Sequence, residues 1–323
     1  MENSVQKRIN QLYREYGLGK PMGEPSQDPN RPHFFLHRRF LLDQDLLIIF
    51  NTKRCRYQCK FCDLPQKSSI TPISPESILN QFEYVITELK HSLGVLNRLT
   101  ISNEGSVLDT DTFSRDALLT IVRCTTELKA MRTLVVETRL EFVDISYLND
   151  ISSANTKARI DILTGFETLD QEIRDDILGK REKIDVFLDG LNRISETSAT
   201  LTAYVLFKSS PYMTDNEGYR EAENSIIFLR DQCAARKIPL TIRLNPMYSA
   251  KGSKWSERAH KFNGYQPPRL SDVLNLAEKM REIGISIYIG LSTEGLGDPR
   301  GTFRDRDDFS HDLLKRAIKF NNM

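Results

Sequence analysis

Long apolar runs and an excess of either charge are both missing from this sequence. No apolar run approaches the roughly 18 residues that a membrane-spanning helix requires, so we expect no membrane partner. Lys and Arg total 45 against 44 Asp and Glu. This balance gives the chain no overall attraction to nucleic acid or to an anionic membrane surface, so charge does not indicate RNA binding.

Cysteine is also scarce. The chain has five cysteines, and three of them fall in one short stretch, which does not fit a disulfide framework. The first residues lack the charged-then-apolar order of a secretory signal. Reduced thiols are typical of the cytosol, so the sequence predicts a cytoplasmic protein. Its 323 residues are enough for one large α/β domain or two smaller ones.

The clustered cysteines are Cys55, Cys59 and Cys62, and they follow an apolar run that reads as a buried strand. Zinc would need a fourth ligand at short spacing, whereas Cys124 and Cys233 lie far away in helical patterns. Three thiolates suit a 4Fe–4S cluster with one iron open to a chelating ligand. A zinc knuckle and three unrelated buried thiols are the alternatives. We expect Cys124 and Cys233 to pack as small core hydrophobes.

Strands and helices alternate from residue 46 onward. The predicted strands cover 46–52, 98–103, 133–138, 158–166, 200–208, 239–245 and 285–291. The predicted helices cover 75–92, 113–129, 141–150, 168–179, 182–195, 216–236, 270–283 and 309–320. A helix at 4–16 and a strand at 33–40 precede them. Most strands are continuously apolar, which favours a parallel barrel or part-barrel with its chemistry at the carboxyl ends of the strands.

Several charged and polar residues allow either a functional or a purely structural interpretation. Arg38 and Arg39 could meet an anionic substrate group or be two solvated charges. The cysteine loop carries four cations, which fit two interpretations: docking of an acidic electron donor, or an ordinary solvated loop. These cations are Lys53, Arg54, Arg56 and Lys60. By position alone, the candidate substrate contacts at strand ends are Lys208, Asn245, Tyr248 and Glu294. Each could equally cap a helix or face solvent.

The CX3CX2C spacing, with the aromatic Phe61 just before the last cysteine, resembles the signature of radical SAM enzymes. Members of that superfamily bind S-adenosylmethionine through its amino and carboxylate groups on the open iron. One electron from the cluster then cleaves the sulfonium and gives a 5′-deoxyadenosyl radical that abstracts hydrogen from the substrate. The resemblance implies a 4Fe–4S cluster on Cys55, Cys59 and Cys62, S-adenosylmethionine as cofactor with Phe61 among its binding residues, and an electron donor such as flavodoxin or ferredoxin.

The same resemblance implies cofactor contacts at the strand ends. Radical SAM enzymes have a glycine-rich segment after the second core strand that meets the amino group of the cofactor. Glu104 and Gly105 stand at this place, although the usual second glycine is missing. Glycine lets the backbone approach closely, and a carboxylate can accept from an ammonium group.

Two further segments resemble the Elongator catalytic-subunit-like branch of radical SAM proteins. Glu137 and Arg139 match its Glu-Thr-Arg-Pro-Asp segment, with leucine and glutamate in place of the last two residues. Arginine there would hold the cofactor carboxylate as a fork. Glu167 lies in a Gly-Phe-Glu-Thr segment similar to the branch's Gly-Leu-Glu-Thr, and would accept from the ribose hydroxyls. Lys180 follows Gly179, the reverse of the branch's usual order, and is not assigned a role.

Within that branch the chain resembles the family of radical SAM partners of archaeosine synthase, RaSEA. The segments that carry this likeness lie at 103–109, 137–143, 165–168, 203–208 and 265–268. The family acts on a 7-deazaguanine base in transfer RNA. This chain departs from it in a shorter cysteine spacing, and it shows no basic tail or added RNA-binding module.

The resemblance implies an α/β fold, a radical SAM (β/α)6-type partial TIM barrel with N- and C-terminal extensions. The expected domains are an N-terminal helix and extension at 1–45, the radical SAM core at 46–295, and a C-terminal tail and helix at 296–323.

Three functions follow, in order of preference. The first is a radical SAM enzyme that cleaves S-adenosylmethionine reductively and abstracts hydrogen from a modified nucleobase or nucleoside, deazaguanine-like and either separate or linked to RNA. The second is a radical SAM enzyme acting on a small metabolite in a biosynthetic pathway. The third is a non-catalytic iron–sulfur or zinc protein. Glu137, Arg139 and Glu167 count against the third, because a bare scaffold needs no cofactor site.

Overall fold

The computed structural model describes residues 28–57, 59–62, 68–89, 93–103, 105–262, 264–292 and 300–323. The helix predicted at 4–16 and the predicted site residues Glu104 and Glu294 lie outside these residues. Among the helices of the described residues, none is long and apolar enough to cross a membrane.

The described residues form eight strands, which follow one another in chain order in the sheet. They are β1 Phe34–Phe40, β2 Asp43–Phe50, β3 Arg98–Asn103, β4 Thr133–Glu137, β5 Arg159–Glu167, β6 Thr200–Phe207, β7 Leu240–Pro246 and β8 Ser286–Ile289. β1 and β2 pair antiparallel. β2 to β5 pair parallel, as do β6 to β8. The predicted parallel sheet is confirmed, and its strands are apolar because both faces are covered.

Eight α-helices of the described residues flank these strands. They are α1 Pro75–Leu89, α2 Arg115–Cys124, α3 Ile145–Ala154, α4 Ile184–Ser195, α5 Asp215–Ala235, α6 Lys254–Lys261, α7 Leu270–Glu282 and α8 His311–Asn321. The start of α1 is confirmed, because the Ser77 amide donates to Ser74 Oγ at 3.1 Å. Sequence reasoning missed α6. The helix predicted at 168–179 was too long, since only residues 171–177 are helical there, and Ile173–Ile177 form a π-helix.

The described residues divide into two compact units. The first unit lies within Met1–Arg56, Leu64–Leu163 and Arg193–Thr200, and the second within Tyr57–Asp63, Thr164–Asn192 and Leu201–Met323. The boundaries expected at residues 45 and 295 come from the family resemblance, whereas the two units are defined by contacts within the fold. The expected boundaries therefore stay a prediction.

Buried ion pairs cross the sheet of the first unit. Arg38 Nε donates to Asp45 Oδ2 at 2.7 Å, and Thr100 Oγ1 donates to Asp45 Oδ1 at 2.8 Å. Arg98 pairs with Asp161 at 2.8 Å. Asp45 is completely buried, near the amino end of β2 and opposite Arg38 in the β1–β2 register. This pairing favours a structural role for Arg38 over contact with an anionic substrate, since chemistry is expected at the carboxyl ends of the strands.

Asp45→Ala should lower the free energy of unfolding by about 3–5 kcal/mol, because it leaves buried arginine without its partner. Urea denaturation of the wild type and the variant measures this. The matched control is Asp150→Ala, which removes an exposed pair with Arg115 and should lower the free energy of unfolding far less, because water screens exposed pairs. Equal losses in the two variants would contradict a structural role for the buried pairs.

Candidate functional site

In the first unit, Gly105 packs against the first cysteine of the motif. A Cβ atom built on Gly105 would lie 3.2 Å from Cys55 Cβ and 3.7 Å from Cys55 Sγ. The Gly105 amide donates to Asn103 Oδ1 at 3.1 Å, which fixes the turn that follows β3. Gly105 therefore lies beside the cysteine stretch, and a side chain at this position would press on Cys55.

Glu137 ends β4 and is tied to its neighbours. Ser102 Oγ, near the end of β3, donates to Glu137 Oε2. The Glu137 carbonyl accepts from the Val107 amide at 2.9 Å. These two contacts join the loop after β3 to the end of β4, so Glu137 lies at the carboxyl edge of the sheet as predicted.

Arg139 is 9% exposed and lies just beyond β4. Its backbone amide donates to Ser106 Oγ at 3.1 Å, and its Nε donates to Glu141 Oε1 at 2.5 Å. Glu141 takes the place of aspartate in the predicted motif, and the ion pair explains what a carboxylate does there. It orients the guanidinium of Arg139.

Two cations of the cysteine loop form hydrogen bonds with neighbouring residues. In the first unit, Arg56 makes two hydrogen bonds to Asp109, at 2.8 and 3.1 Å, and one to Asp111 at 2.7 Å. In the second unit, Lys60 Nζ donates to the Asp176 carbonyl at 2.6 Å. Two of the four predicted donor-docking cations thus have partners within their own units.

The second unit anchors the later part of the motif through Lys60. The Lys60 amide donates to the Leu178 carbonyl at 2.6 Å, and the Lys60 carbonyl accepts from the Trp255 amide at 2.8 Å. Gly179 has a φ of 64°, and a Cβ there would lie 2.8 Å from Lys60 Cγ. Both the left-handed backbone and the close approach favour glycine.

Phe61 packs on an apolar cluster in the second unit. Its buried members are Leu178, Leu206, Met247, Trp255 and Ala259. Trp255, the only tryptophan of the chain, is fully buried on α6, and its Nε1 donates to the Ser209 carbonyl at 3.0 Å. A tryptophan among charged residues was the signal by which sequence reasoning could have found α6.

Glu167 ends β5 in a left-handed backbone conformation, with a φ of 70°, and is 6% exposed. Its carboxylate lies over Gly165, because a Cβ built on Gly165 would fall 2.0 Å from Glu167 Oε1. Lys180 Nζ lies 3.8 Å from the same oxygen and donates to the Gly165 carbonyl at 2.5 Å. Such backbone strain in a non-glycine residue persists only where the surroundings hold it, and it clusters at functional sites.

Lys180 belongs to a larger buried charge group. Its Nζ lies 3.4 Å from Glu182 Oε2, which Arg174 also contacts at 3.1 Å. Arg174 is completely buried and donates to the carbonyls of Phe166 and Thr168 on either side of Glu167. Sequence reasoning left Lys180 unassigned and missed Arg174, although both stabilise the backbone that carries Glu167.

Two strand-end candidates lie in the second unit without a shared contact. Asn245 Oδ1 is buried and has no hydrogen-bond partner among the described residues. It packs against Gly290, because a Cβ atom built on Gly290 would lie 2.0 Å from it. Lys208 is 2% exposed and its Nζ donates to Asp215 Oδ1 at 2.7 Å. Lys208 is therefore not a solvated charge.

The cysteines outside the motif differ from each other. Cys233 is 1% exposed, and burial raises the pKa of its thiol to about 12, so the prediction of a core thiol is confirmed. The same prediction for Cys124 was wrong, because its side chain is exposed at the end of α2. The buried stripe of α2 runs through Leu118, Ile121 and Val122, and Cys124 lies off it.

The three motif cysteines are half-buried, with Cys55 in the first unit and Cys59 and Cys62 in the second. Among the described residues, no three His, Cys, Asp or Glu side chains are gathered as a metal site. Assignment of a cluster therefore rests on the spacing and on the donor set, since three thiolates suit iron–sulfur ligation.

No protein-family model matches the chain. An uncharacterized protein of Methanocaldococcus jannaschii is 25% identical over 290 residues, which are 88% of this chain and 77% of that protein. The solved structure of methylornithine synthase matches with a TM-score of 0.50 and 14% identity, over 99% of this chain and 88% of that one. This likeness confirms the predicted fold class, an α/β partial barrel.

A further match is the radical S-adenosylmethionine methyltransferase TsrM from Kitasatospora setae, solved with tryptophan substrate and a SAM analogue bound. Its TM-score is 0.47 at 13% identity, and the match covers 71% of this chain but only 40% of the methyltransferase. These comparisons do not test the resemblance to the Elongator-like branch, which stays a prediction.

Gly165→Ala should displace the Glu167 carboxylate and lower the free energy of unfolding by about 1–3 kcal/mol, because the new methyl group has no room. Chemical denaturation measures the loss. The control is Gly94→Ala, where a Cβ meets nothing within 4 Å and the change should stay within about 1 kcal/mol. A Gly165 variant as stable as the control would contradict the position of Glu167.

Proposed function

We propose that this chain is a radical SAM enzyme in which Cys55, Cys59 and Cys62 hold one 4Fe–4S cluster. The observation that carries the proposal is the CX3CX2C stretch, which begins five residues after β2 ends, in a fold shared with methylornithine synthase. The donor set fits an iron–sulfur cluster, since thiolates are its ordinary ligands and the missing fourth ligand leaves one iron open. The packing of Gly105 against Cys55 supports a ligand site beside the first cysteine.

The cofactor residues are proposed from the resemblance, and the burial of Arg139 and Glu167 supports the proposal. Gly105, with Glu104 beside it, receives the amino group of S-adenosylmethionine, and Glu137 lies at the same sheet edge. Arg139, oriented by Glu141, holds the carboxylate. Glu167 accepts from the ribose hydroxyls. When bound, cluster and cofactor supply a one-electron cleavage that yields a radical able to abstract hydrogen.

The buried setting of Glu167 suits this role. Its carboxylate is nearly excluded from water, and Lys180 Nζ lies 3.8 Å from Glu167 Oε1, too far for a hydrogen bond. The left-handed backbone at Glu167 directs the side chain back over Gly165. An ionised acceptor in a fixed orientation can receive two hydroxyl groups of a sugar.

The proposed substrate is a modified nucleobase or nucleoside of deazaguanine type, either separate or linked to RNA. Support comes from the segments that resemble RaSEA, which span most of residues 46–290. A small metabolite is the second candidate, favoured by the near balance of 45 basic and 44 acidic residues. An electron donor such as flavodoxin or ferredoxin is the proposed source of the electron for the cluster.

Replacement of Cys55, Cys59 or Cys62 by Ala should abolish the visible absorbance of the anaerobically reconstituted cluster and all release of 5′-deoxyadenosine. Iron, sulfide and zinc analysis measures the metal content directly. Cys233→Ala is the control and should retain the cluster, because this cysteine is a core thiol. Stoichiometric zinc without sulfide in the wild type would contradict the proposal and favour a zinc protein.

Glu167→Ala and Arg139→Ala should each weaken S-adenosylmethionine binding about ten- to hundredfold, since a buried charge-assisted contact contributes about 1.5–3 kcal/mol. Titration of the reconstituted cluster followed by electron paramagnetic resonance measures the affinity. Iron content should not change, because neither residue is a ligand. The matched controls are the exposed Glu172→Ala and Arg123→Ala. Wild-type affinity in both site variants would show that the mapping onto the Elongator-like branch is wrong.

A further inference from the structure

The second unit contains a polar cavity of about 600 Å³ that no step of the proposed cofactor chemistry uses. Lys208, directly after β6, forms one wall, and Thr214 and Asp215 at the start of α5 form another. Arg269, just before α7, and Arg306 add two guanidinium groups to the lining. The cavity thus lies where β6 ends and two helices begin.

Three cations converge on one carboxylate inside this cavity. Lys208 Nζ is 2.7 Å from Asp215 Oδ1, while Arg306 and Arg269 lie 3.0 and 3.3 Å from Asp215 Oδ2. The side chains of Lys208 and Arg306 are 3% and 8% exposed. Asp215 balances one of these two buried positive charges, so the inner wall keeps a positive excess.

Two more carboxylates line the cavity, and both belong to exposed residues, Asp307 and Asp308. Asp308 lies 3.9 Å from Arg306 Nε and accepts from Ser271 Oγ at 3.2 Å. Water screens charges at exposed positions far more than charges on a buried wall. The two aspartates therefore offset the inner positive charge only weakly.

The chain holds Lys208 in a strained conformation at this wall. Lys208 has a φ of 66°, and Gly218 on α5 makes room for it, because a Cβ at Gly218 would lie 2.9 Å from Lys208 Cβ. Burial lowers the pKa of Lys208, and the hydrogen bond to Asp215 opposes this shift. Strain of this kind persists at ligand sites, where surrounding contacts maintain it.

An aromatic pair stands at the same cavity. Tyr212 and Phe262 both line it, and they are 52% and 41% exposed. Their ring centroids are 5.2 Å apart in an edge-to-face arrangement. Large apolar side chains exposed together mark contact sites, and aromatic rings pack on other rings in offset-stacked or edge-to-face arrangements.

We infer that this cavity is the substrate site and that it takes a ligand combining a planar ring with an anionic group, a phosphate or a carboxylate. Arg306, Arg269 and Lys208 receive the anion, and Tyr212 with Phe262 contacts the ring. Calling this ligand the substrate rests on the proposed function. The binding itself requires no cluster.

Calorimetric titration of the full chain with guanosine 5′-monophosphate, guanosine and benzoate tests the inference. At least one anionic probe should bind ten times more tightly than guanosine, and the comparison of the two anions separates phosphate from carboxylate. Arg306→Gln and the half-exposed Arg269→Gln should each weaken that binding about tenfold or more. Arg304→Gln, on the same segment but outside the cavity, should bind as the wild type does.

Three results would overturn the inference: no binding of either anion, guanosine binding as tightly as both anions, or wild-type affinity in both cavity variants. Because Arg269 is half-exposed, its variant stays informative even where Arg306→Gln fails to fold. Titrations are run without cluster reconstitution, and iron content is measured separately. A wild type that holds the cluster but binds no anion contradicts this inference alone.

Discussion

The buried contact of Glu167 with Lys180 over Gly165 is the constraint on which the second unit's site depends. A carboxylate placed at the end of a parallel strand normally turns toward water, but here the left-handed backbone folds it back and a lysine balances its charge. Arg174 fixes the same turn through the carbonyls of Phe166 and Thr168. Removing one partner of a buried charge pair leaves the other charge unpaired in the interior. This lowers the free energy of unfolding by more than a single surface ion pair contributes.

The strands were predictable from sequence because short, continuously apolar runs bounded by turn residues are typical of parallel strands covered on both faces. The strand predicted at 98–103 matches β3 residue for residue, and the others shift by one to three residues at their ends. The segment after β5 was harder, since its helical pattern is real but a left-handed glycine ends it early. Asp170 accepts from the Ile173 amide at 3.0 Å, so the helix also begins later than the apolar spacing indicates.

The site was only partly predictable, for a physical reason. Motif spacing identifies residues close in sequence, such as the cysteines and Phe61. It says nothing of Lys180 and Trp255, which reach Glu167 and Lys60 through tertiary contacts. For Cys124 the sequence predicted burial that the fold does not have. Its neighbours in sequence are apolar, but its side chain lies off the buried stripe of the helix.

Net charge proved a weak guide to local chemistry. The near balance of 45 basic and 44 acidic residues predicts no overall attraction to nucleic acid or to an anionic membrane, yet the charges on this chain are distributed unevenly. In the first unit, Arg38 and Arg98 are matched by Asp45 and Asp161 and hold strands together. In the second unit, three cations share Asp215 beside a cavity. Overall balance therefore constrains long-range attraction to polyanions, while affinity for a small anion depends on which charges remain uncompensated at one wall.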